Sequence, residues 1–459
     1  MTLSEQREKG MGSTMHATEV FGAWVTTFQR ERLHADVLHH AKRAVIDWYA
    51  ALFPGLAADP VPQLQALLAD ELGQGRARRF DGQALPARSA ALLHGTAAHA
   101  AEVDDSFRDA MYHPGAATVA AALAAAQERG ASGLDFLRGV VLGYEVSTRI
   151  GVVLGRPHYR HWHSTGTVGT FGAAAAAAGL FALHGAPFAH ALATAATFAA
   201  GLQQAFRTDS MSKPLHAGRA AEGGLLAAQL AAQGVTGARD VLDGEVGLGR
   251  AMSDGPDWAQ VGATLGRDFH ITRLTFKNHI GCGHTFAAID ATLELARRHG
   301  LRPDEVARVH VATYGPALDI ACHTQPQTEN EARFSLPFVV ATALVHGSVR
   351  LSAYTPERLA DPRLRDMLGR VSAAVDPAID AGFPGRRAAR VEIETRDGRR
   401  LSWLQPDRKG DPELPLSDAE LEDKLLELAS PVIGAARARA LLAGIHALEA
   451  APDLRALVA

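Results

Sequence analysis

Long runs of alanine and glycine, with few large apolar residues between them, fill the middle of this chain from about residue 87 to residue 234. Alanine has the highest helix propensity of the amino acids, and its small side chain lets neighbouring helices approach closely. The runs therefore predict a core of tightly packed helices. Helices are predicted over residues 34–51, 87–101, 116–129, 133–151, 170–183, 186–202 and 218–234.

The apolar stretches in this region are too short to cross a membrane. The stretch 171–183 leads directly into a polar turn, and the stretch 189–202 falls below the roughly 20 residues that a span requires. We therefore expect no membrane partner.

The pattern changes after residue 270. Residues 271–276 are strand-like, and residues 306–314 alternate apolar and polar side chains with the period of two that is typical of a half-buried strand. Residues 390–395 and 399–403, joined by Asp397 and Gly398, predict a β-hairpin. Helices are predicted over residues 288–299, 334–346, 417–428 and 430–448, the third opened by a capping box at Ser417.

Together these patterns predict a mainly α fold. A large all-helical domain, residues 19–270, is interrupted by an inserted, smaller α+β lid domain, residues 271–405, and returns over residues 406–459. Residues 1–18 are predicted to be a disordered tail. A cleft between two such domains is where a ligand is expected by default.

Charge and cysteine content exclude several classes of protein. The chain has 46 basic and 50 acidic residues, a net charge of −4, which speaks against a nucleic-acid partner. Its two cysteines exclude a disulfide framework and a cysteine-rich metal site and favour a reducing compartment. The polar N-terminus lacks the apolar segment of a signal peptide. The expected location is the cytoplasm.

Three predicted helix starts carry basic or imidazole side chains. His113 precedes Pro114, His163 opens a hydroxyl-rich turn, and Lys213 precedes a second proline; the start of the last helix also carries His216 and Arg219. Helix N-termini bind anions, so these residues would form a site for a small polycarboxylate if the three starts converge. The alternative is that each histidine is an ordinary solvated turn residue.

Acidic residues and a cysteine supply further candidates. Asp104 or Asp105 could orient a histidine or join His113 and His163 in a metal site, although no ligand spacing supports a metal; solvated acids are the alternative. Cys282 could be a nucleophile beside His284, or a buried inert thiol. Signature motifs of serine hydrolases, P-loop NTPases and dinucleotide-binding proteins are absent from the sequence.

The same segments resemble the MmgE/PrpD family in order and spacing over residues 20–430. The matching segments are HGTAAHA at 94–100, VDDS at 103–106, HPGA at 113–116, GYEV at 143–146, HSTGT at 163–167, GTFG at 169–172, MSKPLHAG at 211–218, AAID at 287–290, EARFSL at 331–336 and GDP at 410–412, together with Lys277 and Cys282. The family includes 2-methylcitrate dehydratases, cis-aconitate decarboxylases and iminodisuccinate epimerases. The resemblance implies a helical domain with a smaller lid domain, a homodimer, no metal or organic cofactor, and proton transfer at a carbon next to a carboxylate.

The resemblance also implies site residues. The active-site pattern of the decarboxylase branch falls on Glu102, Ser106, His113, His163, Lys213, Lys277 and Cys282. Three positions depart from that branch: Glu102 replaces aspartate, Ser106 replaces threonine, and Cys282 replaces a catalytic histidine. The last departure argues against cis-aconitate decarboxylation as the native reaction.

The resulting hypothesis is a cofactor-independent lyase or isomerase acting on a small di- or tricarboxylate, with a 2-methylcitrate-dehydratase-like hydro-lyase as the first choice. His113, oriented by Asp104 or Asp105, is the expected general acid or base. Cys282 or His284 is the second proton-transfer candidate. Carboxylate contacts are expected from Lys213, His163, Lys277, Arg108, His216 and Arg219. The alternatives are an epimerase, a decarboxylase, or a carboxylate-binding protein without activity.

Overall fold

Helices account for most of the residues that the structure, a computed structural model, describes, namely residues 15–206, 210–383 and 385–457. The mainly α prediction is confirmed. The chain divides into two units: a helical unit, made of residues up to 101, 106–273 and 429 onward, and an α+β unit, made of residues 102–105 and 274–428.

The helical unit is built from helices of widely different length, with one two-stranded ladder. Its first helices and strands are α1 (Ala17–Phe28), α2 (Ala35–Gly55), α3 (Val61–Leu67), β1 (Ala77–Arg78), β2 (Ala84–Leu85), α4 (Ala87–Ala100), α5 (Pro114–Arg129), α6 (Gly133–Tyr159), α7 (Ser164–Leu180), α8 (Gly185–Phe198), α9 (Ser212–Ala232) and α10 (Leu248–Met252). Within the described ranges, every helix is too short or too polar to cross a bilayer.

Helix α7 is the centre of the helical unit. Every residue from Ser164 to Ala178 is buried, and α5, α6, α8 and α9 all pack against it. Glycine makes these approaches close: a Cβ on Gly172 would lie 2.4 Å from the Thr118 hydroxyl, and one on Gly224 would lie 2.5 Å from the Thr170 carbonyl oxygen. The small residues at these contacts therefore let four other helices pack closely against α7.

The predicted strand 271–276 is wrong. Residues His270–Arg273 form a 3₁₀ turn, because buried side chains of α6 bind the backbone there in place of a neighbouring strand. The Ile271 N–H donates to Glu145 Oε1 at 3.1 Å. Arg149 pairs with Glu145 at 3.1 Å and donates to the Asp268 carbonyl oxygen at 2.6 Å.

The predicted tail 1–18 is also partly wrong. Residues 1–14 lie outside the described residues, but Ala17 and Thr18 belong to α1 and are buried. The Thr18 hydroxyl donates to the Arg239 carbonyl oxygen at 2.6 Å, which anchors the start of this helix.

The α+β unit contains a four-stranded sheet with the order β4 (Val371–Val375), β3 (Val306–Thr313), β5 (Ala389–Thr395), β6 (Arg400–Gln405). Strand β3 pairs antiparallel with β5 and parallel with β4, and β5 and β6 form the predicted hairpin through Asp397 and Gly398, whose φ is +87°. Strand β4 was not predicted from the sequence, because its short, mostly exposed run VSAAV carries no alternation. The elements are α11 (Phe286–His299), β3 (Val306–Thr313), α12 (Gly315–Ile320), α13 (Glu329–Arg333), α14 (Leu336–His346), α15 (Pro356–Leu359), α16 (Pro362–Leu368), β4 (Val371–Val375), α17 (Pro377–Asp380), β5 (Ala389–Thr395) and β6 (Arg400–Gln405).

The C-terminal helices are α18 (Asp418–Ile433) and α19 (Ala435–His446). The predicted capping box is present, since the Glu420 N–H donates to Ser417 Oγ at 3.3 Å and the Ser417 N–H donates to Glu420 Oε2 at 2.7 Å.

The chain passes from the helical unit to the α+β unit between residues 273 and 274 and returns between residues 428 and 429. The sequence predicted these boundaries at 270/271 and 405/406. Residues 406–428 stay with the α+β unit because, for example, Lys424 donates to the Val103 carbonyl oxygen at 2.7 Å.

Adjacent glycines in α9 test the importance of close packing. We expect Gly224→Ala to lower the free energy of unfolding by about 1–3 kcal/mol, because the new Cβ would lie 2.5 Å from both the Ala173 Cβ and the Thr170 carbonyl oxygen. Gly223→Ala is the matched control: its nearest neighbour would be 3.6 Å away, so helix propensity should leave stability unchanged or raise it by up to about 1 kcal/mol. Thermal or denaturant unfolding measures both, and equal effects would contradict the packing argument.

Candidate active site

Four histidines of the helical unit, His99, His113, His163 and His216, lie side by side and are called the histidine cluster below. The ring centroid of His99 is 5.1 Å from that of His113 and 5.5 Å from that of His163, with which it stacks at 28°. The ring of His216 lies 5.2 Å from that of His163 and is tilted against it at 53°. The helix starts singled out in the sequence therefore do converge.

Local sequence explains why these side chains meet. His113 is the N-cap residue of α5, with Pro114 at the first helical position, where its lack of an N–H costs nothing. His163 is the N-cap residue of α7, and Lys213 and His216 lie in the first two turns of α9. Because α5 and α9 both pack on α7, their N-terminal residues reach the same region.

Two members of the cluster, His163 and His216, are held in the uncharged form. Burial lowers the pKa of His163 well below its usual range, and His99, Lys213, His216 and His113 lower it further. Burial also lowers the pKa of His216, with smaller contributions from His99 and Lys213. A neutral imidazole can accept a proton at one nitrogen and donate a hydrogen bond from the other, so the cluster combines such groups with the ammonium group of Lys213.

His99 was not among the residues predicted from the sequence. Two histidines lie on α4, and the alanine-rich sequence around them gave no reason to prefer either one. His94 packs edge-on against Trp48 with ring centroids 6.1 Å apart, and burial lowers its pKa to about 4. His99, five residues later, points to a different side of the helix and joins the cluster.

Arg219, Arg108 and Ser106 are three further predicted residues of the helical unit. Arg219 is 60% exposed and pairs with Glu222, and no contact among the described residues brings it to the histidine cluster. Arg108 is half-buried in the 3₁₀ turn Arg108–Ala110. Ser106 is half-buried at the start of the loop that Phe107 and Tyr112 close by a backbone bridge.

The acidic segment 102–105 belongs to the α+β unit, where Lys277 holds it. Lys277 Nζ donates to the Glu102 carbonyl oxygen at 2.8 Å and lies 3.4 Å from Asp104 Oδ1. Asp104 and Asp105 are buried, so the alternative of solvated acids is wrong. Glu102 has a φ of +60°, which turns the chain sharply at this point. The expected orientation of His113 by Asp104 or Asp105 stays a prediction.

Cys282 and His284 of the α+β unit differ in what they can do chemically. Cys282 is buried, and burial raises the pKa of its thiol to about 11, which opposes a role as a nucleophile at neutral pH. His284 Nδ1 lies 2.8 Å from the Tyr314 hydroxyl, and burial lowers the pKa of His284 to about 4. That imidazole is neutral over the physiological range.

The Tyr314 contact ties the tautomer of His284 to the direction of one hydrogen bond. Burial raises the pKa of the Tyr314 phenol, so the hydroxyl keeps its hydrogen and can either donate to His284 Nδ1 or accept from it. When the hydroxyl donates, the hydrogen of the neutral imidazole resides on Nε2, and when Nδ1–H donates, Nε2 is bare.

Two contacts with carboxylates fix the loop that carries Lys277, Cys282 and His284. Arg408 forms a two-point contact with Asp411 and donates to the Gly283 carbonyl oxygen at 3.1 Å. His279 pairs with Asp290 at 2.8 Å inside the unit. Such charge-assisted contacts hold a loop more firmly than neutral hydrogen bonds do.

The two cysteines provide an internal comparison of thiol reactivity. We expect iodoacetamide at pH 8 to label exposed Cys322 and to leave Cys282 unlabelled in the folded protein, because about one Cys282 thiol in a thousand would be ionised and the side chain is buried. Peptide mass spectrometry after timed labelling measures both sites. Labelling of Cys282 as fast as Cys322 would contradict the buried-thiol assignment, and labelling in denaturant is the positive control.

Comparison with known proteins identifies the family. The model of the MmgE/PrpD N-terminal domain matches residues 19–261, and that of the MmgE/PrpD C-terminal domain matches residues 279–450. A cis-aconitate decarboxylase-like protein of Aspergillus oryzae is 28% identical over 100% of this chain and 99% of its own length. The cis-aconitate decarboxylase of Homo sapiens is 27% identical, with 96% and 93% covered, and that of Aspergillus terreus is 25% identical, with 95% and 94% covered. With both family domains matched in order over most of its length, the chain belongs to the MmgE/PrpD family.

Proposed function

We propose that this protein is a lyase that decarboxylates a small unsaturated polycarboxylate of the cis-aconitate type. The observation that carries the proposal is the histidine cluster, which brings imidazoles from three helix N-termini together near Lys213. The rings of His163 and His216 are uncharged. The similar proteins named as cis-aconitate decarboxylases favour this reaction over the dehydration that the sequence first suggested.

Substrate binding would use the charge of these helix starts. The N-termini of α5, α7 and α9 carry partial positive charge and free N–H groups, and Lys213 adds a full charge. His163, being neutral, would contribute an N–H donor to a substrate carboxylate. The site thereby selects a ligand with several negative charges.

The reaction itself needs one bond cleavage and one proton. The bond between a carboxylate and its carbon breaks, CO₂ leaves, and the electron pair stays on the carbon skeleton, delocalised into a neighbouring carboxylate. Cationic and N–H groups stabilise the enediolate-like charge that develops. His113 then delivers the proton to carbon, which balances the reaction.

From the α+β unit we propose that His284, and not Cys282, takes part in proton transfer. A thiol with a pKa of about 11 keeps its proton at neutral pH and so offers no base, whereas the neutral imidazole of His284 has one nitrogen that can accept a proton. Lys277, fixed by Glu102 and Asp104, would bind a further carboxylate.

Dehydration of 2-methylcitrate remains the second candidate. The observation that favours it is Cys282, since the decarboxylase branch that the sequence resembles carries a histidine at this position. A different residue at this position would suit a related polycarboxylate. Epimerisation of an iminodisuccinate-like substrate uses the same proton chemistry and belongs in the same assay.

The first test is proton NMR in D₂O with chelator-treated enzyme and a panel of cis-aconitate, 2-methylcitrate, citrate, iminodisuccinate, malate and tartrate. We expect loss of cis-aconitate with a deuterium incorporated into the product. His113→Ala should lower turnover about 100-fold or more, because it removes the proton donor. His299→Ala, at an exposed position on α11, is the control and should match the wild type.

The panel also separates the alternatives. Turnover of 2-methylcitrate alone would replace decarboxylation by dehydration. Thermal stabilisation by a panel compound without any product would indicate a binding protein. Activity abolished by the chelator and restored by a divalent metal would contradict the expected independence from metals.

A second pair of variants decides between the groups of the α+β unit. We expect Cys282→Ala to keep turnover within about threefold of wild type and His284→Gln to lower it roughly 10- to 100-fold, since general acid–base catalysis contributes on that scale. Steady-state kcat on the substrate found in the panel measures both. The reverse order of effects would assign the role to Cys282.

A further inference from the structure

The closest polar contact in the histidine cluster joins two identical atoms. His163 Nδ1 and His216 Nδ1 lie 3.0 Å apart, within hydrogen-bond distance. A hydrogen bond between two nitrogens holds one hydrogen, so one Nδ1 must donate and the other must accept. The contact therefore links the protonation states of two side chains that come from different helices.

Both rings are uncharged in this contact. His163 is 2% exposed, and its stacked neighbour His99 together with His113 and Lys213 opposes any added positive charge. The pKa of His216 is lowered by burial and by His99 and Lys213. A neutral imidazole carries one N–H, so a ring that donates from Nδ1 has a bare Nε2 and a ring that accepts at Nδ1 has its hydrogen on Nε2. The two histidines must be opposite tautomers.

We propose that His216 is a positioning residue that donates its Nδ1–H to His163 and so holds His163 in the Nε2–H tautomer. This direction of donation rests on the proposed function, in which His163 gives an N–H to a substrate carboxylate. The opposite direction would leave His163 with a bare Nε2, which repels a carboxylate. His216 thus acts on the substrate through His163.

The backbone around His216 keeps the contact in place. A Cβ on Gly201, whose φ is +137°, would lie 3.2 Å from His216 Nδ1, and one on Gly166 would lie 3.1 Å from the His216 Cβ. The His163 N–H also donates to the Gly201 carbonyl oxygen at 2.9 Å. Two glycines thus pack against His216, and one of them also anchors the His163 backbone, which limits rotation of either residue.

Nitrogen NMR of ligand-free protein tests the tautomers directly. Deuterated protein with ¹⁵N in its histidine rings is studied by long-range proton–nitrogen correlation at pH 7.5, and the two residues are assigned by the signals lost in His163→Gln and in His216→Asn. We expect Nε2–H with a bare Nδ1 for His163 and the reverse for His216. An Nδ1–H on His163, the same tautomer on both rings, or a charged imidazolium on either would overturn the proposal.

A pair of nearly isosteric variants tests the consequence for binding. In His216→Asn the side-chain amide can place an N–H close to the position of Nδ1, whereas in His216→Leu a methyl group takes that place. We expect the asparagine variant to keep His163 as Nε2–H and its KM for cis-aconitate within about threefold of wild type. The leucine variant should mix the tautomers and raise KM roughly tenfold with a smaller change in kcat, as loss of one hydrogen bond to a charged group implies. Equal KM values for the two variants would overturn the proposal, and their melting temperatures show whether both are folded.

The NMR and kinetic experiments together distinguish a failure of this inference from a failure of the proposed function. The NMR experiment uses no substrate, so it gives its result even if cis-aconitate is not turned over. If the panel shows no turnover but His163 is the Nε2–H tautomer only when residue 216 is a donor, the positioning role stands and the proposed reaction falls. If cis-aconitate is turned over and His163 carries Nδ1–H, the reaction stands and the positioning role falls.

Discussion

The close packing of small residues along α7 is the constraint on which the helical unit depends. Residues Ser164–Ala178 are buried on all sides, so every face of this helix meets another helix. Glycine lets the backbones approach closely, as the 2.5 Å between a Cβ built on Gly224 and the Thr170 carbonyl oxygen illustrates. The same packing brings the starts of α5, α7 and α9 together, and thus makes a site from three separate turns.

Burial then decides the chemistry of that site. Imidazoles placed at solvated helix starts would titrate near neutral pH, but those of His163 and His216 are kept neutral by desolvation and by their neighbours. At this site Lys213 therefore supplies the positive charge, and the imidazole rings of the histidine cluster supply the groups for proton transfer. A similar division holds in the α+β unit, where Lys277 carries the charge and His284 is neutral.

Local patterns predicted most helices to within a few residues, together with the strand β3, the β5–β6 hairpin and the capping box at Ser417. They failed where a distant side chain replaced a local partner. Residues 271–276 look like a strand, yet Glu145 binds the Ile271 N–H and the segment forms a 3₁₀ turn. The edge strand β4 was missed because apolar and polar residues alternate only in a strand that buries one face. Nearly all of β4 is exposed, so its sequence shows no such alternation.

By itself the sequence determined the mainly α class, most of the long helices, the cap at Ser417 and the residue types of the site, because each depends on neighbours within about one turn of the chain. Only the tertiary structure decided that His99 joins the cluster while His94 packs on Trp48, that His163 meets His216, and that Cys282 is buried. Those outcomes depend on which face of a helix meets which neighbour. Contacts between residues dozens of positions apart set that choice, and no local pattern encodes it.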